Sequence, residues 1–249
     1  MAKKNLLFTT LDFFNANFLA ILLVFIIYFA GILSGIYWQN RNKTDNSDSI
    51  GANSGTPQPL PTTVSTINQT PPISAQDHVI GATNPKLWLV EYSDFSCGFC
   101  SRVHPTLKQL IAEYPNDVAW VYRHYLLSET GPSRVMAEAS ECVANISGNQ
   151  AFWNYINAFF DRYAQGGVKL EQESLIALAK ELGYNSAQLS SCITSKQYAQ
   201  KIDEDIAGGR KAGVSGTPNI MIITSDGKFD QVAGAAPIDD FKKKIEQYL

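Results

Sequence analysis

The sequence predicts an α/β domain, with a small mixed sheet, helices on its faces and a helical insertion. It also predicts one N-terminal transmembrane helix and a disordered linker ahead of that domain. Three observations predict this arrangement. Residues 18–38 form a 21-residue, mostly apolar run without a charge. Beyond a polar stretch, the apolar periodicity runs strand, helix, strand, a block of helices, strand, strand, helix. A Cys-x-x-Cys stands where the first strand gives way to the first helix. Bulk composition agrees, because 249 residues with 45% hydrophobic and 17% charged suit a globular chain. A net charge of −3 supplies no basic footprint, so no nucleic-acid partner is expected. Four cysteines are too few for a disulfide-stapled miniprotein.

A bilayer core of about 30 Å takes about 20 apolar residues at 1.5 Å each. Phe18–Trp38 meets that length, and Tyr37 and Trp38 end it with rings that favour the interface. Residues 1–41 therefore read as a short cytoplasmic tail and anchor. A cleaved leader is the rival, but its apolar core usually spans only ~7–15 residues. Lys3 and Lys4 precede the run, while Arg41 and Lys43 follow it beside Asp45 and Asp48. The short tail favours staying inside, which places a single-pass protein in the cell membrane with its folded part extracytoplasmic. In residues 42–75, 24 of 34 are Ser, Thr, Asn, Gln, Pro or Gly. Such a segment buries too little apolar surface to order itself and reads as a flexible spacer.

Residues 76–249 form the domain. Lys86–Ser93 is a strand, Cys97 to about Glu113 a helix, and Val118–Tyr125 a second strand rich in β-branched and aromatic residues. The insertion, about 130–212, carries five apolar stripes at helical spacing. They run through Val135–Ile146, Phe152–Tyr163, Leu175–Leu182, Leu189–Ile193 and Ala199–Ile206. Strands return at Asn219–Thr224 and Lys228–Ala233 around Asp226-Gly227, a hairpin signal. A last helix is expected with Pro237 at its first position and Ile238, Phe241, Ile245 and Tyr248 on one face. Lys242-Lys243-Lys244 then falls on its solvated side.

Cys97-Gly98-Phe99-Cys100 is the main chemical signal. Two cysteines three apart at a helix start lie on nearly one side of the turn, so their sulfurs can bond. The unpaired N–H groups and positive end of the helix favour a thiolate on the first. In such sites its pKa falls from about 8.5 to between ~3.5 and ~7.5. Cys97 is then the exposed nucleophile and Cys100 the resolving thiol. A zinc site needs four ligands where this motif supplies two, and haem attachment needs His where Ser101 stands, so no metal or cofactor is assigned. A purely structural disulfide with so small a ring would be a poor staple. His78 is expected to be exposed, His104 to serve packing or the surface, and His124 to lie in a strand without an identifiable partner.

Val90-Glu91-Tyr92-Ser93-Asp94-Phe95-Ser96-Cys97-Gly98-Phe99-Cys100 resembles the active-site stretch of the DsbA-like thiol–disulfide oxidoreductases, a branch of the thioredoxin superfamily. Gly213-Val214-Ser215-Gly216-Thr217-Pro218 resembles their second signature, a loop ending in a cis-proline. The resemblance covers most of 76–249 and implies a thioredoxin fold split by the helical insertion. It implies a redox pair at Cys97 and Cys100, and a cis bond at Thr217-Pro218 whose neighbouring backbone holds substrate by short β-pairing. It also implies a buried acid at Glu91 that moves protons to or from the resolving thiol, where the residue alone reads as a half-exposed strand position. Pro105 resembles the proline of the family's active-site helix. Relatives often carry a second cysteine pair in the insertion, which implies a Cys142–Cys192 disulfide. Two buried free thiols are the alternative. The family often has Pro-His between its cysteines. Gly98-Phe99 lacks that histidine and its charge, which points to a milder oxidant.

The expected activity is extracytoplasmic disulfide exchange with extended or unfolded proteins, as a dithiol oxidase assisting oxidative folding. By resemblance the partner that reoxidises it is a quinone-linked membrane protein. The alternatives are a disulfide reductase or isomerase, and a membrane-tethered peptide-binding or chaperone module with incidental redox activity.

Overall fold

The computed structural model describes residues 69–167 and 169–249. The expected anchor and residues 42–68 of the expected linker lie outside them. Among the described residues no helix is long and apolar enough to cross a membrane.

Five strands form one sheet: β1 (His78–Gly81), β2 (Leu87–Ser93), β3 (Val118–His124), β4 (Asn219–Thr224) and β5 (Phe229–Ala233), in the order β1-β3-β2-β4-β5. β2 and β3 pair in parallel, and every other pair is antiparallel. Between β2 and β3 runs α1 (Gly98–Glu113). Between β3 and β4 come α2 (Pro132–Ser147), α3 (Asn149–Tyr163), α4 (Gln172–Glu181), α5 (Ser186–Ser195) and α6 (Ala199–Lys211). α7 (Ile238–Tyr248) closes the domain, with Pro237 as its N-cap, one position earlier than expected.

The side-chain period of two along a strand sorts the sheet into two faces. Leu87, Leu89, Trp120 and Tyr122 join the large core made with α1, the insertion and α7. Val90, Tyr92, Val121, Met221 and Val214 form a smaller cluster on the other face, with Ile73 and Tyr125 packed against it. Both central strands are thus covered on both sides, which is why they read as near-continuous apolar runs.

Two expectations are corrected here. β1 was not anticipated: it is four residues long and pairs antiparallel with β3 at the sheet edge. Residues 71–75 were assigned to the flexible spacer, but they lie against the domain. Arg123 Nη1 donates to the Pro71 carbonyl at 2.9 Å and Nη2 to the Pro72 carbonyl at 3.1 Å. Its Nε and Nη2 also grip Asp77 at 2.8 and 3.0 Å. Composition marks this strap as unable to form a core, but its carbonyls remain good acceptors for a buried guanidinium. The insertion contains the Cys142–Cys192 disulfide, joining α2 to α5 across a sequence separation of 50 residues.

Candidate active site

β2 delivers the chain to the site, and Phe95 anchors the turn that follows. Phe95 is buried against Tyr122, Phe159 and Phe160. Asp94 shapes the same turn. Its Oδ1 accepts from the Ser96 N–H at 2.7 Å and the Ser96 hydroxyl at 2.8 Å, and its Oδ2 from the Leu127 N–H at 2.7 Å. Its carbonyl accepts from the Cys97 N–H at 3.0 Å. This is an Asx-type turn, for which an Asp ahead of Ser is a readable signal that the sequence analysis did not use.

Cys97 is the N-cap of α1, with extended backbone at φ −82 and ψ 115. No acidic residue stands in the first turn to compete for the helix's positive end. Both cysteines are free, so the structure holds the dithiol form. Cys97 is 6% exposed and Cys100 fully buried. A hydrogen bond from the Cys100 thiol, helped by the Thr217 side chain and the Cys100 and Phe99 N–H groups, pulls the Cys97 pKa down to about 5 against the effect of burial. Burial pushes the Cys100 thiol far up. One sulfur is therefore poised as an anion and its neighbour holds the proton.

Thr217-Pro218 is a cis peptide bond. The Thr217 carbonyl faces Cys97 and accepts from its Sγ at 3.4 Å, a bond open only to the thiol form. Behind this loop, Tyr125 donates its hydroxyl to the Val214 carbonyl at 2.7 Å. Tyr125 meets Tyr92 edge to face, and Arg123 donates to the Tyr92 hydroxyl at 3.2 Å. Gly209 of α6 leaves room for both rings: a Cβ there would lie 2.6 Å from Tyr125 and 2.9 Å from Tyr92. The strap, Arg123, the two tyrosines and the cis-proline loop form one continuous set of contacts. Sequence reasoning missed Tyr125, because nothing local marks a tyrosine that bonds a carbonyl 89 residues away.

Glu91 is fully buried under the pair rather than half-exposed. Burial lifts its pKa to about 7, against the pull of the Ser93 hydroxyl and the Trp120 indole. Trp120 Nε1 donates to its Oε2 at 3.1 Å, and Oε1 has no well-formed hydrogen bond. The structure thus brings together Cys97, Cys100, Glu91, Thr217 and Pro218. Cys142 and Cys192 lie apart, in the insertion. Phe99 and Leu127, 55% and 58% exposed, are large apolar side chains at this end of the domain. The Arg102 guanidinium stacks 4.2 Å over the Phe99 ring.

The histidines differ from expectation in two cases. His78 is buried, stacked on Phe152 and within 3.1 Å of both Glu141 and Asn149. His124 has a partner, Glu141, at 2.8 Å. His104 packs as expected, edge-on to Trp120 and 2.7 Å from Asn157.

A family model described as thioredoxin matches residues 74–247. The chain belongs to the thioredoxin family. Its structural neighbours include DsbA-like proteins. It is 26% identical to DsbA2 of Pseudomonas aeruginosa, with a TM-score of 0.58 over 72% of this chain and 97% of that one. It shares its fold with BdbD of Bacillus subtilis, in the oxidised form, at 21% identity and a TM-score of 0.59, over 70% and 92% of the two chains. It is also 31% identical over 153 residues to a Na(+)/H(+) antiporter NhaA of Herminiimonas arsenicoxydans. That match covers 61% of this chain and 23% of the antiporter, so the chain spans under a quarter of the curated relative's length.

Proposed function

We propose that this protein is an extracytoplasmic thiol–disulfide oxidoreductase working as a dithiol oxidase, tethered by its N-terminal segment and acting on extended or unfolded proteins. The observation that carries the oxidising direction is the pairing of a thiolate-favouring Cys97 with a buried, protonated Cys100. Stabilising the reduced form in this way makes the disulfide the better oxidant.

In this reading a client thiolate attacks the Cys97 sulfur. The Cys97–Cys100 bond breaks, and its electron pair stays on Cys100, which takes a proton from Glu91. The client's second thiolate then attacks its own sulfur in the mixed disulfide, and Cys97 leaves as a thiolate. The client has lost two electrons and the enzyme has gained them. The backbone beside Thr217-Pro218 pairs with the client strand. Phe99 and Leu127 offer apolar surface suited to clients that have not yet buried theirs. A quinone-linked membrane partner reoxidises the dithiol, and a shared membrane raises their effective concentration.

The missing histidine in Gly98-Phe99 favours a second reading, in which the protein works as a reductase or isomerase supplied with electrons across the membrane. The reduction potential of the Cys97–Cys100 couple decides between them. A value on the oxidising side of about −200 mV is expected, and one near about −270 mV overturns the oxidase reading. Cys97→Ser is expected to abolish disulfide formation in a reduced client. Retention of the biological activity by that variant would leave a peptide-binding or chaperone module instead.

A further inference from the structure

Each catalytic cycle moves a proton through a closed interior. Cys100 carries a proton in the dithiol and none in the disulfide, yet Cys100 and Glu91 have no exposed surface. Along the same sheet face stands a row of buried polar atoms, among the described residues, that lack a well-formed hydrogen bond: Glu91 Oε1, Ser93 Oγ, Tyr122 Oη and His124 Nδ1. Buried polar atoms are nearly always paired, so four in one row call for an explanation. The Ser93 hydroxyl faces the Glu91 carboxyl, the Cys100 thiol and the Tyr122 hydroxyl. Glu91 is the register partner of Tyr122, and Ser93 of His124. Paired strands lie about 4.8 Å apart, a step that a short hydroxyl side chain and one water molecule span.

From His124 outward the chain of contacts is unbroken. His124 Nε2 lies 2.8 Å from Glu141 Oε1, and Glu141 Oε2 lies 3.1 Å from His78 Nε2. His78 and Glu141 line a cavity of about 540 Å³ together with Tyr198 and Lys201. Asn149 turns its Oδ1 to His78 Nδ1, because its Nδ2 donates to the Val79 carbonyl at 2.8 Å. Both nitrogens of His78 thus face oxygen atoms of neighbouring side chains. An imidazole with a carboxylate on one nitrogen therefore sits at the cavity.

We propose that Ser93, Tyr122, His124 and Glu141 form a proton path joining the Cys100–Glu91 couple to the cavity at His78. The proposal rests on the exchange chemistry above and on Glu91 as the proton partner of Cys100. When the disulfide opens, Glu91 gives its proton to the Cys100 sulfur and is refilled from His124 through Ser93 and Tyr122. His124 is refilled across the Glu141 carboxylate from His78, which draws on solvent. Reoxidation runs the same transfers backward. The groups facing His124 suit this passage. Tyr122 neighbours it on β3 and Ser93 on β2, α2 supplies Glu141, and β1 supplies His78 beyond it. From α6, Asp205 accepts from the His124 backbone N–H at 3.1 Å, and Lys201 lies 2.9 Å from Glu141 and 3.2 Å from Asp205. His124, Glu141 and Asp205 have the spacing of a metal-ligand group, but the Lys201 ammonium already stands as the cation between the two carboxylates.

The test uses the full chain, oxidised and then reduced by glutathione, with the rate followed from pH 5 to 9 in H₂O and D₂O. Glu141→Gln and Ser93→Ala are each expected to slow reduction roughly tenfold and raise the solvent isotope effect, with the Cys97 alkylation midpoint unchanged. Rates and isotope effects like those of the parent protein would overturn the path. So would a loss of thermal stability without a change in isotope effect. If Glu141→Gln does not fold, His124→Gln and Ser93→Ala decide the matter by the same criteria. A parent protein that exchanges no disulfide would instead overturn the exchange reading itself.

Discussion

Phe99 is the residue that most separates this site from a strongly oxidising one. It fills a position beside Cys97 from which a cation would stabilise the thiolate, but its own cation, Arg102, is drawn over the ring face. Phe99→His places a protonatable ring there. The expected result is a Cys97 pKa about one unit below the parent's and a reduction potential about 30 mV more oxidising. Alkylation rates against pH and equilibration with glutathione check the two values. The sign follows from linkage: lowering a thiolate pKa stabilises the reduced protein at every pH above it, and that gain is lost as pH falls through the folded value. Cys97 and Cys100 were legible because their chemistry lies in a four-residue spacing. Glu91 was legible only through the family resemblance, because burial is a property of the whole sheet. Ser93 and Tyr122 carried no signal, since a hydroxyl in a strand reads the same whether it faces water or a thiol.

At the scale of the element, the loop before Pro218 is held from behind. Tyr125→Phe removes one hydroxyl and leaves the ring against Gly209. A hydrogen bond of this kind contributes about 0.5–1.5 kcal/mol. The KM for a cysteine peptide is expected to rise about two- to tenfold with kcat little changed. A steady-state series with one peptide checks it, and a pure kcat effect would argue against a positioning role. The strands and helices around this loop were legible from periodicity, since each buries a face wide enough to set a pattern. β1 was not, because four residues at an edge are too few to show alternation. The strap was misread for a related reason. Pro71 and Pro72 lack N–H donors and looked unstructured, but it is their carbonyls that Arg123 engages.

Across the whole molecule, the insertion is stapled independently of the redox pair. Closing a loop of about 50 residues contributes about 4 kcal/mol on the chain-entropy account. The double variant Cys142→Ser/Cys192→Ser is expected to lose up to that amount in urea unfolding while keeping Cys97-dependent exchange at 25 °C. Loss of exchange in a still-folded variant would tie the staple to the chemistry. The pairing was open at the level of sequence, because two cysteines on two apolar stripes pack equally well as thiols. Only the meeting of α2 with α5 decides it.

In the proposed oxidase reading, the sealing of Cys100 also governs which clients leave changed. A protein caught on Cys97 has two exits: its own second sulfur, or displacement by Cys100 from within. A client with a lone cysteine has only the second exit and is returned intact. A client with two cysteines in reach departs crosslinked. With the inner sulfur so reluctant to ionise, the captured state lasts long enough for a distant partner cysteine to arrive. In that reading, depth of burial acts as a timer that discriminates between single and paired cysteines.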